Sequence, residues 1–403
     1  MALSLAPLTR LGNPCRFKAD LSYFVARFIK TVCVMYDKEI YEVFFTVKKK
    51  SAKTSARKAV KAKAAPRSKN SGKLVVITGA TGKLGSVVAP LFVKNGFFVR
   101  AIVRSEYKAR KLYARELKEK TVELLQADLQ DASAANVTKL SRACSGASAV
   151  VHLAALVDAT APRKELYSAN VAATKTILEA ARRGKAGKFV LCSSTAVYGT
   201  PRSAPASESA LFSPIYAYGE SKIKAEEAVR NGGMPFVILR PGVIYGPAMR
   251  GQFTALLKAI SLGKAKIIGR GDNLLPFVHE RDVARAFLLA VQNKGVVGDF
   301  IIVDPRQLTQ REALHLVARH LGVPAPTRHV NVVLAKLFAM VHVLVSTLRG
   351  KKSSFTPELV ELTAAHRHFS VEKAKRVLGW QPREKVSKAL GEMVGAWKKQ
   401  GGV

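Results

Sequence analysis

Three observations predict an α/β fold, a parallel sheet wound on both faces by helices, for most of this chain. Short apolar runs recur at 74–78, 97–103, 122–125, 149–153, 189–192 and 236–239, with helical stretches between most of them. Alternation of this kind builds parallel strands joined by helical crossovers. The first run, Leu-Val-Val-Ile-Thr, is β-branched and apolar throughout, as a strand buried on both faces must be. It leads without a break into a glycine-rich turn and a further apolar segment.

That turn reads Gly79-Ala-Thr81-Gly82-Lys83-Leu84-Gly85, and residues 86–93 follow as a helix. Glycines in this position allow a tight turn, close approach of backbone to a pyrophosphate and close packing of helix on strand. The helix start offers free N–H groups and a partial positive charge. The second run ends at Val103-Arg104, and Arg104 lies 104 − 85 = 19 residues beyond the last glycine. An acidic residue near that spacing would bind the ribose 2′-hydroxyl of NAD, whereas arginine suits the 2′-phosphate of NADP. Lys108, Arg110 and Lys111 add positive charge. NADP is therefore expected ahead of NAD.

Tyr218-Gly-Glu-Ser-Lys222 puts a phenol and an ammonium one helical turn apart. Side chains at i and i+4 share a helix face, so Lys222 is expected to lower the Tyr218 pKa and favour its phenolate. Tyr216 has the opposite neighbour four residues on, Glu220. Tyr218 is then the group that exchanges a proton with an alcohol or carbonyl.

Further segments occur in order: Asp128-Leu129, His152-Leu-Ala154-Ala155, Asn170-Val-Ala-Ala-Thr174, Ser193-Ser194-Thr195-Ala196-Val-Tyr-Gly199 and Leu239-Arg-Pro241-Gly-Val243-Ile-Tyr-Gly-Pro247. With the glycine turn and Tyr218/Lys222, they resemble the extended branch of the short-chain dehydrogenase/reductase superfamily over about residues 73–397. The resemblance implies a Rossmann-type domain at 74–245 and a smaller, mostly helical substrate region at 246–403, some of whose segments return to the sheet. It implies that Gly79, Gly82 and Gly85, with the amides of Thr81, Lys83 and Leu84, hold the pyrophosphate. Asp128 and Leu129 would flank the adenine, and His152 and Ala154 would line the cofactor beyond the fourth strand. Ser194 would hydrogen-bond the substrate oxygen, Tyr218 would be the general acid/base, and Lys222 would bind the nicotinamide ribose. Pro241 and Val243 would approach the nicotinamide, and Asn170 would position the lysine through water. A homodimer is a further implication.

Within that branch, sugar dehydratases carry an Asp-Glu pair after the active-site hydroxyl, where Thr195-Ala196 stand here. Nucleotide-sugar enzymes place an arginine before the segment aligned with Phe277-Val-His279; Leu275-Pro276 occupy that place, with Arg270 and Arg285 as candidate substitutes. The better match is the subgroup similar to 3β-hydroxysteroid dehydrogenases and dihydroflavonol reductases. This implies hydride transfer between a nicotinamide and a secondary alcohol or ketone of an apolar small molecule, with a nucleotide-sugar epimerase as the alternative. A non-catalytic cofactor-binding regulator would be expected to lose Tyr218 or Lys222, and both are retained. The segment 330–348 is almost wholly apolar and is expected to be a buried or membrane-surface helix, too short and, with Lys336, too polar to span.

The chain has 403 residues and a net charge of +38. Residues 48–73 hold eleven basic and no acidic residues, without apolar periodicity. A disordered linker with weak contact to anionic surfaces is expected there, and no base-reading module for specific nucleic-acid binding. Residues 1–47 match nothing else in this architecture and form an N-terminal extension of open status: a transit peptide for organelle import, weakened by Asp20, Asp37, Glu39 and Glu42, or an upstream extension of the reading frame. Cys15, Cys33, Cys144 and Cys192 show neither metal spacing nor a disulfide framework, which points to a reducing, cytoplasmic setting.

Overall fold

The computed structural model describes residues 73–402 apart from 159, 351, 352 and 354; the expectations for residues 1–72 lie outside them. Strands β1 (Leu74–Thr78), β2 (Phe98–Val103), β3 (Val122–Gln126), β4 (Ala149–His152), β5 (Phe189–Cys192) and β6 (Phe236–Pro241) realise the six apolar runs. Phe97 falls in the turn before β2, edge-on against Phe92 with ring centroids 5.2 Å apart. A seventh strand, Gly298–Ile302, joins beside β6. It opens on Gly-Asp, so its apolar part is too short to stand out in sequence. The sheet order is Gly298–Ile302, β6, β5, β4, β1, β2, β3, and every pairing in it is parallel.

Successive side chains of a strand face opposite sides, and two cores result. Val75 and Ile77 of β1 join one cluster with Phe92, Phe287 and Trp380. Val76 joins the other with Leu140, Ile177 and Ile238. The helices that cover these faces include Gly85–Lys94 and Glu280–Gln292 on the first side, and Ala134–Cys144 and Ala173–Arg183 on the second.

After β6 the chain builds a third cluster, from Tyr245, Leu257, Leu314, Leu390 and Trp397. Helix Gln310–Leu321 within it begins with a capping box, Thr309 and Glu312 satisfying each other's backbone amides. The apolar segment resolves into a two-residue strand, His329–Val330, and helix Val332–Leu348 capped by the Asn331 side chain. Ala335 and Ala339 are buried towards Val360, while Val333, Leu334, Leu337, Met340, Leu344 and Leu348 are exposed. Among the described residues no helix is long and apolar enough to cross a membrane.

Candidate active site

β1 lies between β2 and β4, so the chain leaves it to one side and resumes from β4 on the other. Such a reversal opens a crevice at the carboxyl ends of the strands. The glycine turn sits at its rim. Gly79 has φ +68°, and a Cβ there would meet the Ala154 amide nitrogen at 2.6 Å. At Gly85 a Cβ would drive into the Gly79 carbonyl and Ala80, so its absence lets helix Gly85–Lys94 start tightly on the turn. The Gly82 amide donates to the Gly79 carbonyl at 2.8 Å. The amides of Thr81, Lys83 and Leu84 find no acceptor among the described residues. Free donors at a helix start, with no Cβ in the way, fit a diphosphate. Beneath them the buried Tyr113 hydroxyl donates to the Ala80 carbonyl at 2.6 Å, a buttress that a lone tyrosine in a basic stretch does not announce in sequence.

Arg104 is exposed at the end of β2 and meets no carboxylate among the described residues, whereas Arg110 is bonded to Glu106. Asp128 is exposed, its carboxylate accepting from the Gln130 amide at 3.0 Å. Leu129 points its side chain into the core, which leaves its backbone for any ligand. Pro241 is buried in β6, and the Val243 amide donates to the Pro276 carbonyl at 2.7 Å.

His152 is placed differently from expectation. Its Nδ1 lies 2.7 Å from Thr78 Oγ1 and its Nε2 lies 3.0 Å from Thr174 Oγ1. Burial, with the Lys222 charge adding, holds its pKa down to about 3. This neutral, sealed imidazole braces the ends of β1 and β4 against helix Ala173–Arg183. Both ring nitrogens are engaged in this brace, so the side chain has none to offer a ligand.

Ser194 follows β5 in extended conformation and caps the short 3₁₀ turn Thr195–Tyr198, accepting from the Ala196 amide at 3.1 Å. Helix Ala217–Arg230 lies across it, bringing Tyr218 and Lys222 to the same place. Ser194 stands beside the Tyr218 phenol, where its hydroxyl favours the phenolate. The ring of Tyr218, only 7% exposed, has Lys222 Nζ 5.8 Å from its centroid. That ammonium donates to the Cys192 carbonyl at 2.8 Å.

The charge balance corrects two sequence expectations. Burial, reinforced by Tyr216 and Cys192, raises the Tyr218 pKa, and the Ser194 hydroxyl is what opposes it. Lys222 shares the helix face, but its ammonium is bonded to the β5 carbonyl of Cys192, and desolvation of the phenol sets the direction of the shift. The phenol is therefore held protonated. Tyr216 stands before the helix, at φ −150°, so helical spacing to Glu220 does not apply to it; Glu220 pairs with Arg163. Its ring stacks on Tyr218, centroids 5.9 Å apart, and its electrostatic neighbour is Arg367.

Asn170 lies on a π-helical turn, Ser168–Ala172. Its side chain accepts from the Leu156 amide at 2.7 Å and donates to Ser221 Oγ at 2.9 Å, so it holds helix Ala217–Arg230 directly, next to Lys222. Behind the site, Arg240 and Glu226 form a bidentate pair at 2.6 and 2.9 Å, each side chain 1% exposed. Ser193 Oγ donates to the same carboxylate at 2.5 Å, and Arg240 also meets Tyr198 and Asp299. This network ties β5, β6 and helix Ala217–Arg230 together. A charged residue inside an apolar strand and an acid four residues after Lys222 were its signals in sequence.

The NAD dependent epimerase/dehydratase family matches residues 75–303. The chain is 29% identical to the decarboxylating sterol-4-alpha-carboxylate 3-dehydrogenase of Mus musculus, over 64% of this chain and 76% of that one. It is 26% identical to a putative dihydroflavonol 4-reductase of Synechocystis sp., over 79% and 92%. Among solved structures it is similar to a UDP-glucuronic acid 4-epimerase from Bacillus cereus in complex with NAD: TM-score 0.64, 21% identity, 81% of this chain and 99% of the other.

Proposed function

Because the chain belongs to the NAD dependent epimerase/dehydratase family, we propose that it is an oxidoreductase acting between a nicotinamide dinucleotide and a secondary alcohol or ketone of an apolar molecule. The observation that carries this reading is the half-buried Ser194 side chain beside the buried Tyr218 phenol, with buried Lys222 on the same helix, at the carboxyl end of β5. The glycine turn would hold the dinucleotide, whose chemistry when bound is hydride transfer. Tyr218 donates its proton to the substrate oxygen as a carbonyl is reduced, and Ser194 steadies charge developing there. Lys222, on the same helix face and now bonded to the Cys192 carbonyl, would hold the nicotinamide ribose.

Two further observations favour this over sugar epimerisation. Arg270 is bonded to Asp272 at the surface, and Arg285 is engaged by Asp282 and Glu384. Neither stands in for the arginine missing at Leu275-Pro276. The test is oxidation of NADPH and NADH against a panel of ketones, with UDP-sugars scored for epimerisation. Turnover of apolar ketones is the expected result; conversion of UDP-sugars alone would overturn it. We infer from exposed, uncommitted Arg104 that NADPH binds better than NADH. Arg104→Ser should raise the NADPH Kd about tenfold and leave the NADH Kd within about twofold. Tighter NADH binding by the unaltered chain would refute the preference.

Val333, Leu337, Met340, Leu344 and Leu348 recur at three- and four-residue steps, forming one exposed apolar stripe on helix Val332–Leu348. In a chain of charge +38, this supports a peripheral contact with an anionic membrane surface. Leu337→Glu with Leu344→Glu should lower binding to phosphatidylserine vesicles about tenfold or more. Unchanged flotation with the vesicles would refute it.

A further inference from the structure

Because the strands of the main sheet run parallel, the segments that lead into them gather at one edge, opposite the crevice. Backbone hydrogen bonds stitch five of these segments side by side. The Gly187 amide donates to the Ala147 carbonyl at 3.0 Å, Ser148 to Leu74 at 2.8 Å, Phe98 to Lys73 at 3.2 Å and Val99 to Thr121 at 3.0 Å. Each brings an exposed basic residue to that edge: Lys185 before β5, Arg142 before β4, Lys73 before β1, Lys94 before β2, and Lys118 with Lys120 before β3. Their side chains have no hydrogen bond or ion pair among the described residues. Between helix and strand, residues 95–97, 119–121, 145–148 and 184–188 include one acid, Glu119, and it is bonded to Arg115 at 2.7 Å.

Helix ends attract cations, which accounts for Lys94 and Arg142 in the last turns of Gly85–Lys94 and Ala134–Cys144. It does not account for Lys73, which stands directly before a strand. Lys120 and Lys185 both sit at φ +54°, and they are the two non-glycine residues at positive φ among the described residues. Glycine takes that backbone more easily, yet lysine stands there both times. Neighbouring strands lie about 4.8 Å apart, so the row from Lys185 to Lys120 is about 19 Å long. Its step is on the scale of the charge spacing in a nucleic-acid strand, about 3.4 Å of helix axis per phosphate. None of the four segments carries an exposed large apolar side chain. The edge therefore lacks both the apolar centre of a protein interface and the apolar face of a membrane-surface element. At its middle, Lys73 closes the 48–73 stretch of eleven basic and no acidic residues.

We propose that this amino edge of the sheet binds the phosphate backbone of a single nucleic-acid strand, without reading its bases. The surface lies at the opposite end of the strands from Tyr218, so it stands or falls apart from the oxidoreductase reading.

The test is fluorescence anisotropy of a labelled oligouridylate of about 30 nucleotides with the full chain, over a salt series. The joint variant Lys94→Gln, Lys120→Gln, Arg142→Gln and Lys185→Gln should raise the Kd at least about tenfold near 0.1 M salt. It should also flatten the log–log salt dependence by about 3, at about 0.7 per lost phosphate contact. A control of equal charge loss on the helices of the third cluster, Lys258→Gln, Arg319→Gln, Lys388→Gln and Lys399→Gln, should shift the Kd by less than about threefold. Arginine in place of the lysines, Lys94→Arg, Lys120→Arg and Lys185→Arg, should bind as tightly as the unaltered chain, since charge alone is read. Affinity that survives in the edge variant belongs to residues 48–72 and sinks the proposal. An equal loss in the control does the same, because net charge is then the cause. So does displacement by saturating NADPH, which would put the strand in the crevice. If the edge variant loses flotation with phosphatidylserine vesicles and keeps its RNA affinity, the edge is a membrane face instead. An unaltered chain that binds no RNA, or an edge variant that fails to fold, also overturns the assignment.

Discussion

Tyr218→Phe should reduce turnover by about 1,000-fold or more, the scale of a lost general acid, while the NADPH Kd stays within about threefold. The substitution removes one hydroxyl from a ring that is already buried and stacked on Tyr216, so the local packing has no reason to change. Steady-state rates and a fluorescence titration of the cofactor check both halves. Rates within tenfold of the unaltered chain would show that another group delivers the proton. The pH dependence carries a sign. The Tyr218 pKa is raised above its ordinary value of 10.0, and reduction needs the protonated form. Ketone reduction should therefore show no loss from phenol ionisation between pH 7 and about 9, and oxidation of the alcohol should be the direction that gains as pH rises.

Glu226→Ala is the change expected to harm the fold most. It strips Arg240 of its bidentate partner inside the protein, where both side chains are 1% exposed. Breaking a buried pair costs about 3–5 kcal/mol. Asp299 remains 2.8 Å from Arg240, which places the loss near the lower bound. A fall in melting temperature of roughly 4–5 °C follows for a domain of this size. Turnover should fall as well, because Ser193 and the catalytic helix share that carboxylate. The charge-free pair Glu226→Leu with Arg240→Met should recover much of the stability, since what is costly is the orphaned charge. An unchanged melting temperature for Glu226→Ala would mean that the network adds nothing to the fold.

Much of the architecture was legible because it is local. Strand runs such as 74–78 and the turn Gly79 to Gly85 are consecutive residues whose backbone preferences and apolarity act over a few positions. The strand Gly298–Ile302 escaped notice because its position at the sheet edge is determined by pairing with β6, 57 or more residues away. Residue types at the site were likewise readable, but their roles were not always. Spacing correctly put Tyr218 and Lys222 on one helix, yet said nothing of the Cys192 carbonyl that holds the ammonium or the dryness that raises the phenol. His152 could be read as a lining residue until Thr78 and Thr174 were seen on either side of its ring.

By itself, then, the order of residues determined the sheet-and-helix alternation, the glycine turn between β1 and its helix, and the placing of Tyr218 and Lys222 one turn apart on a helix, since each is a pattern along the chain. Only the tertiary structure decided which charges are neutralised. Arg240 meets Glu226 and Asp299, whereas Arg367 meets no carboxylate among the described residues. The physical reason is that desolvation and Coulomb attraction depend on distances between residues far apart in sequence, and only folding sets those distances.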